Sequence, residues 1–358
     1  MCHLRILKGT WTIFSIFVPN KMQKMNPPKK VLIIRFSSIG DIVLTTPVIR
    51  TVREQWGAEV HFLTKSAFAN IVEANPHIQK VFSLREKLSD ITPLLKKEKY
   101  DLVIDLHRNI RSFFIKLGLK RPAVTFDKLN RKKWLLTKFK INQLPDVHIV
   151  DRYLAPILPW GIQNDHKGLD FFIPKDKGLT QAKMKAFFPD FSVSESNLLA
   201  IVVGAAHQTK RIPEKKLIAV AQQWPGAIAL LGGPKEQEDG VRILAKVNRK
   251  DVFNFCGSTS LFESASIISF AQKVLTPDTG MMHIAAALGI PTVSVWGNTV
   301  PAFGMTPYPA SAKHKIIEIK QLNCRPCSKI GHSECPKGHF RCMMDISATQ
   351  MLYTLLDE

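Results

Sequence analysis

Short apolar runs alternate with helix-spaced segments along almost the whole chain, and this alternation restricts the fold more than any single motif. Val31 to Phe36 (VLIIRF), Val60 to Leu63 and Asp101 to Leu106 (DLVIDL) read as buried strands, with Pro122 to Phe126 as a further one. Asp41 to Trp56 carries its apolar residues at helical spacing. A second series follows. Leu198 to Val203 (LLAIVV), Ala227 to Leu231, Val252 to Phe255 and Lys273 to Leu275 read as strands. Helices are expected from Pro213, over Leu261 to Ala271 and over Ile346 to Leu356. Between the series, Trp160 to Ser196 breaks into short pieces separated by Gly, Pro, Asp and Lys, as a linker does. Strands that alternate with helices form parallel sheets covered on both faces. The expected architecture is α/β, with two Rossmann-like doubly wound domains over 29–175 and 195–344. An N-terminal extension, 1–28, precedes them, and a closing helix, 345–358, follows. Ligands of such sheets sit beyond the carboxyl ends of the strands, so the strand-to-helix turns are where chemistry is sought.

One such turn lies in LTPDTGMMHIAAALGIPTVSVWGNT, residues 275–299. Asp278, Thr279 and Gly280 sit where strand gives way to helix, and His283 falls at the end of the first helical turn. A helix start presents unpaired N–H groups and a positive dipole end, which suits a diphosphate. Gly280 permits close approach to the backbone, and Asp278 can accept hydrogen bonds from sugar hydroxyls. The first turn of the chain, RFSSIGDIVLTTP, lacks the G-x-G-x-x-G pattern of dinucleotide binding. It places Asp41 in a first helical turn. There a carboxylate either stabilises the helix dipole or serves as a general base facing a cleft.

With 50 Lys and Arg against 29 Asp and Glu, the net charge is +21, which implies an anionic partner: nucleic acid, an anionic membrane surface or a phosphorylated glycolipid. The cations concentrate between Arg108 and Lys140, where eleven Lys or Arg face one acid, Asp127, among Phe113, Phe114, Trp134, Leu135 and Phe139. That mixture is either a solvated helix face or a patch for a phosphorylated lipid at a membrane, and the density of one sign favours the patch. No apolar run is long enough to span a bilayer. Trp11 to Val18 (WTIFSIFV) follows a few basic residues, but no small-residue cleavage site follows it. It is expected to be an upstream extension, with Met22 or Met25 as the natural start, and the chain to be cytoplasmic with reduced thiols. Four of six cysteines, Cys324, Cys327, Cys335 and Cys342, cluster with His332 and His339 at a spacing that suits a structural zinc ion; small buried residues in an irregular loop are the alternative.

The segments RFSSIGDIVLTTP and PDTGMMHIAAALGIPTVSVWG resemble the N-terminal and C-terminal motifs of the glycosyltransferase family 9 heptosyltransferases, and the resemblance runs from about Lys30 to the end of the chain. It implies the GT-B architecture, two Rossmann-like domains facing each other across a cleft. It also implies inverting, metal-independent transfer of heptose from ADP-heptose to the inner core of lipopolysaccharide, with no required cofactor and peripheral contact with the inner membrane. By the same resemblance Asp41 matches the catalytic aspartate and Lys210, in HQTKRIPEKKL, the lysine after the first strand of the second domain. Asp278, Thr279, Gly280 and His283 match the donor-binding motif, and Glu236 lies where the donor ribose is held. Family members often place hydroxyl residues before the lysine; here either Thr209 or backbone amides take that part. Ser38, Gly40, His107, Arg108 and Arg111 follow first-domain strands and are expected on the acceptor side, gripping a carboxylate or phosphate. No Asp-x-Asp metal motif occurs in the chain. Three other readings remain: the same fold with another nucleotide sugar, a basic nucleic-acid-binding protein with a structural zinc, and a silent nucleotide-sugar binder. No recognised nucleic-acid motif supports the second of these, and Asp41 with Lys210 argues against the third.

Overall fold

The computed structural model describes residues 26–188 and 197–357. Cys2, the apolar run Trp11 to Val18 and most of the expected extension lie outside the described residues. Five strands form the first sheet: β1 (Lys30–Ile34), β2 (Glu59–Lys65), β3 (Lys80–Leu84), β4 (Leu102–Asp105) and β5 (Ala123–Thr125), in the order β3-β2-β1-β4-β5. Six form the second: β6 (Leu199–Val202), β7 (Ile228–Leu231), β8 (Val252–Asn254), β9 (Lys273–Pro277), β10 (Thr292–Trp296) and β11 (His314–Glu318), in the order β11-β10-β9-β6-β7-β8. All pairings are parallel. In both sheets the first strand lies at the centre and the chain then winds outward one way and returns to wind the other. The order reverses between β1 and β4, and again between β6 and β9. A crevice opens at each of these points in a doubly wound sheet.

The central strands are those with unbroken apolar sequence. Leu199–Val202 is buried throughout, and Val31 to Ile34 are fully buried. Two strands absent from the sequence expectation, β3 and β11, lie at sheet edges, as do the expected β5 and β8. KVFSL and HKIIE alternate in burial because one face of an edge strand meets the core and the other meets water. The expected helix from Asp41 to Trp56 is two helices, Ile39–Val43 and Thr46–Trp56. The Thr45 and Thr46 hydroxyls donate back to Ile42 O and Val43 O, at 2.6 and 2.8 Å, and Pro47 follows without an N–H to continue the ladder. Among the described residues no helix is long and apolar enough to cross a membrane.

The two sheets do not have sealed, separate cores. Ile149, Tyr153 and Leu154 of helix Ile149–Leu154 join one apolar cluster with Phe262, Ala265, Ile284 and Ala286 from helices of the second sheet. Polar ties cross the same seam: Ile149 N–H donates to Gly304 O at 2.7 Å, and Arg152 Nη2 donates to Phe303 O at 2.8 Å. At its centre the first helix after β1 meets helix Gly280–Ala287 glycine to glycine. A Cβ on Gly40 would lie 2.5 Å from the His283 ring, and a Cβ on Gly280 would lie 2.9 Å from Ile39 Cβ. Gly40→Val is therefore expected to force the halves apart. Small-angle scattering should show a larger radius of gyration, and denaturant titration a loss of about 1–3 kcal/mol, as for other overpacked sites. Unchanged scattering and stability would mean that the apposition is not a constraint.

Candidate active site

A cleft of about 1130 Å³ lies between the sheets. Its walls are the segments that leave the carboxyl ends of the strands: 35–41 after β1, 126–133 after β5, 204–211 after β6, 232–236 after β7 and 278–283 after β9.

On the first wall stands Asp41. One carboxylate oxygen meets Arg35 Nη2 at 2.6 Å; the other accepts from Ser38 N–H at 3.1 Å and Ser38 Oγ at 2.9 Å. The Ser38 contacts cap the short helix, and the same carboxylate lines the cleft. A carboxylate offers about four acceptor sites, and these contacts leave one for a hydroxyl in the cleft. Burial works most strongly against ionisation here. It is outweighed by the Arg35 charge and the Ser38 hydrogen bonds together, so the Asp41 carboxyl sits below its ordinary range. Arg35 is itself buried. It is held by Ser37 O at 2.9 Å, Leu106 O at 2.5 Å and the Tyr153 hydroxyl at 3.0 Å, so its position is fixed from three directions. Sequence reading missed it; the signal was a lone arginine closing an otherwise apolar strand run.

On the facing wall Lys210 Nζ pairs with Asp278 Oδ2 at 2.6 Å, and the same oxygen accepts from Thr299 Oγ1 at 2.8 Å. Asp278 thus holds the ammonium beside the start of the Gly280 helix, whose N-cap is Thr279. His283 is buried with Nδ1 unpartnered, and burial pushes its pKa down to about 4, so the ring is neutral at neutral pH and carries no charge to a phosphate. It braces Gly40. The close approach that Gly280 permits is taken first by the first-sheet helix. Glu236 lines the cleft beneath β6, where a Cβ on Gly204 would come 2.5 Å from its Cδ. Its carboxylate pairs with Arg211 and accepts from Gly233 N–H at 2.9 Å.

Four expected residues sit elsewhere. Thr209 is buried outside the lining: its hydroxyl accepts from His332 N–H at 2.8 Å and lies 3.2 Å from Asn298 Oδ1. The tight turn Gln208–Lys210 sends Thr209 inward and Lys210 outward, so Thr209 ties loops together and does not face a donor. His107, Arg108 and Arg111 are also outside the lining. His107 packs edge-on against Phe36, and burial, then Arg35 and Lys128, push its pKa down to about 4. Arg108 pairs with Asp127 at 2.8 Å, and Arg111 is exposed on the outer surface.

In their place stand lysines that were not singled out. Seven cations line the cleft, against Asp41, Glu236 and Asp278. Arg35, Lys210 and Arg211 are matched to those acids, whereas no ion pair links Lys128, Lys133, Lys235 or Lys329 to an acid among the described residues. Burial, followed by the nearby Arg152, pushes Lys133 down to about 8. A cleft with this surplus of cations attracts anions to both walls.

Lys329 reaches the cleft on the cysteine loop. Arg325 anchors that loop, donating to Thr299 O at 2.8 Å and to Trp296 O at 3.1 Å, and pairing with Glu318 at 2.7 Å. The described cysteines are free thiols, and Cys324, Cys327 and Cys335 all lie near enough to Cys342 for their charges to act on it. Cys324 Sγ lies 3.8 Å from His339 Nε2, while Cys335 Sγ accepts from Phe340 N–H at 3.4 Å. Burial raises Cys327 to about 11 and Cys342 to about 12. Among the described residues the ligand-type atoms that do converge within 4.8 Å belong to Glu59, His61 and Glu98, and Lys30 and Lys80 already occupy those carboxylates. The four loop thiols neighbour one another, but no three of them come within 4.8 Å among the described residues.

Two doubly wound sheets that turn their switch points toward one cation-lined cleft make up the GT-B architecture. Comparison with known proteins narrows the class. Residues 90–337 match the family model described as glycosyltransferase family 9 (heptosyltransferase), and the chain belongs to that family. Lipopolysaccharide heptosyltransferase 2 of Salmonella typhimurium is 24% identical over 354 residues, covering 92% of this chain and 99% of its own. Lipopolysaccharide heptosyltransferase 1 of Pseudomonas aeruginosa is 25% identical, covering 90% and 93%. Among solved structures, a family 9 glycosyl transferase from Veillonella parvula superposes with a TM-score of 0.73 at 19% identity, over 93% of this chain and 97% of that one. ADP-heptose lps heptosyltransferase II of E. coli does so with 0.67 at 21%, over 91% and 97%.

Asp41 ionises more readily folded than unfolded. The stability it contributes is therefore complete above about pH 4 and is lost as pH falls through its lowered native value. Removing the Arg35 charge should reverse part of that. In Arg35→Gln the acid limb of the pH–rate profile for glycosyl transfer is expected to move up by about 1–2 units, the usual effect of one adjacent arginine. A limb that stays in place would separate Asp41 from the titration that controls the rate.

Proposed function

We propose that the chain transfers heptose from ADP-heptose to a phosphorylated inner-core acceptor of lipopolysaccharide, with inversion and without a metal, at the cytoplasmic face of the inner membrane. The observation that carries this reading is the opposition of Asp41 on one wall to Lys210 and the Gly280 helix start on the other. That relatives in family 9 are lipopolysaccharide heptosyltransferases supports heptose as the sugar and lipopolysaccharide as the product, and the E. coli ADP-heptose lps heptosyltransferase II supports the donor.

In this reading the acceptor hydroxyl hydrogen-bonds to the free acceptor site on Asp41. It attacks the anomeric carbon from the side opposite the diphosphate and gives its proton to that carboxylate as the new bond forms. Back-side attack inverts the anomeric centre. The departing ADP carries the electron pair of the broken C–O bond. Lys210 and the N–H groups at the Gly280 helix start meet the charge that grows on its phosphate oxygen, and they are in place before the reaction begins. Those cations supply the stabilisation that an Asp-x-Asp-bound metal supplies in other glycosyltransferases, and the sequence has no such motif. Glu236 and Asp278 are the carboxylates available to donor hydroxyls. Lys128 and Lys133, on the first-sheet side, suit the phosphates of the acceptor. Ser38 and Gly40 shape the floor beneath it.

Asp41→Ala is expected to abolish transfer, by at least about a thousandfold for a lost base that also orients the acceptor, while ADP affinity stays within a few fold. Near-normal turnover would remove Asp41 from the chemistry. Lys210→Ala is expected to weaken donor use by about tenfold or more, in the range of a charge-assisted hydrogen bond; unchanged donor kinetics would remove Lys210 from the site. Calorimetric titration with ADP, UDP, GDP and ADP-heptose, with and without EDTA, checks the donor. Adenine preference insensitive to EDTA is the expected result, and preference for another base would change the donor while keeping the fold.

A further inference from the structure

Helix Ile110–Leu119 has two apolar faces. The inner one, with Ile115 and Leu119, belongs to the core on one side of the first sheet. The outer one is left exposed by the described residues. Ile110, Phe113, Phe114 and Leu117 are 71%, 56%, 52% and 59% exposed. Their spacing of three, four and seven residues from Ile110 puts them on one stripe of the helix. A surface helix of a soluble domain ordinarily carries charge on that stripe, and four large contiguous apolar side chains there mark an interaction surface. The fold does not need them: the cap of the helix is supplied by Asn109, which accepts from Ser112 N–H at 2.9 Å.

The next helix, Asn130–Phe139, repeats the pattern on a smaller scale. Trp134 and Phe139 are 52% and 54% exposed, and their rings meet edge to face 5.1 Å apart. Around both helices the exposed polar residues have one sign: Arg111, Lys120 and Arg121 beside the first, and Arg131, Lys132 and Lys138 on the second. The single acid of the segment, Asp127, is already paired with Arg108.

We propose that this face docks the protein on a bilayer surface rich in anionic headgroups. The apolar stripe and the Trp134–Phe139 pair enter the headgroup–acyl boundary, and the flanking cations meet lipid phosphates. Aromatic and aliphatic tips ringed by Lys and Arg have the composition of interfacial helices, and a polybasic surface is drawn to anionic lipid. A second copy of the chain fits less well, because a twofold contact through this face would bring each cationic rim against itself. The helix that carries Trp134 also presents Asn130 and Lys133 to the cleft. A docked molecule would therefore hold its cleft near the headgroup layer, where a lipid-linked acceptor resides. That last consequence rests on the proposed acceptor; the docking does not.

The test is co-sedimentation of the full chain with vesicles of phosphatidylethanolamine and phosphatidylglycerol, against phosphatidylcholine alone, over a range of salt. Binding is expected to the anionic vesicles and to fall as salt rises. The double variant Phe113→Ser, Phe114→Ser is expected to lower the bound fraction at least about tenfold, the effect of removing two buried rings from a shallow insertion. Its thermal midpoint and ADP affinity should be unchanged. A readout that leaves the stripe intact is the quenching of tryptophan fluorescence by brominated phosphatidylglycerol, expected in the native chain and reduced in Trp134→Phe. Equal binding of native and double variant, or no binding to anionic vesicles, would overturn the proposal. So would a dimer in light scattering that the double variant dissolves, since the face would then belong to a second copy. Neither donor nor acceptor enters these measurements, so their failure would leave the transfer reading standing.

Discussion

The contact of Gly40 with Gly280 sets the spacing on which the cleft depends. Two helix starts from two different sheets meet there without side chains between them, and each brings unpaired N–H groups and the positive end of a dipole. Any larger residue at either position would widen the gap between Asp41 and Lys210. Because those two groups belong to opposite walls, their relative position is decided by backbone contact and not by a flexible side chain. The apolar seam through Ile149, Tyr153, Phe262 and Ile284 then holds the approach over a wider area.

Charge in the cleft is arranged in two tiers. Arg35, Lys210 and Arg211 each face a carboxylate, and the pairing fixes geometry more than it adds net charge. Lys128, Lys133, Lys235 and Lys329 are the surplus, and they come from three separate segments: 126–133, 232–236 and the cysteine loop. The first tier keeps Asp41 ionised and Lys210 aimed. The second makes the space between the walls attractive to anions. Buried ion pairs cost desolvation and are poor evidence of stability; here their value is orientation.

How much was legible in the sequence follows from how local each feature is. Central strands such as VLII and LAIV announce themselves because both faces are buried. KVFSL and HKIIE do not, since charged or polar residues interrupt each apolar run and few of their positions are buried. Asp41, Asp278 and Lys210 lie in strand-to-helix turns, where a doubly wound sheet always presents its residues to a crevice, so topology alone could point to them. Lys128, Lys133 and Lys329 converge only once the halves meet, and nothing in their neighbours distinguishes them from other surface lysines. Thr209 shows the limit of adjacency. One tight turn separates it from Lys210 in direction, and its hydroxyl serves the loop of His332. Spacing brought the cysteines to one loop, while Arg325, without a motif, proves to be the anchor of that loop.

The shared apolar seam has a consequence for how such proteins diversify. A chain whose halves each sealed their own core could exchange one half for that of a relative by recombination in the linker. Here Phe262, Ala265 and Ile284 complete a core that begins at Val31 and Ile33. A chimera joined between residues 175 and 195 would inherit one side of that packing from each parent. The two sides must match to the volume of a methyl group or lose about 1 kcal/mol per mismatch. Changes in what one wall recognises are therefore expected to accumulate by substitution within an intact pair of halves, and not by trading whole halves.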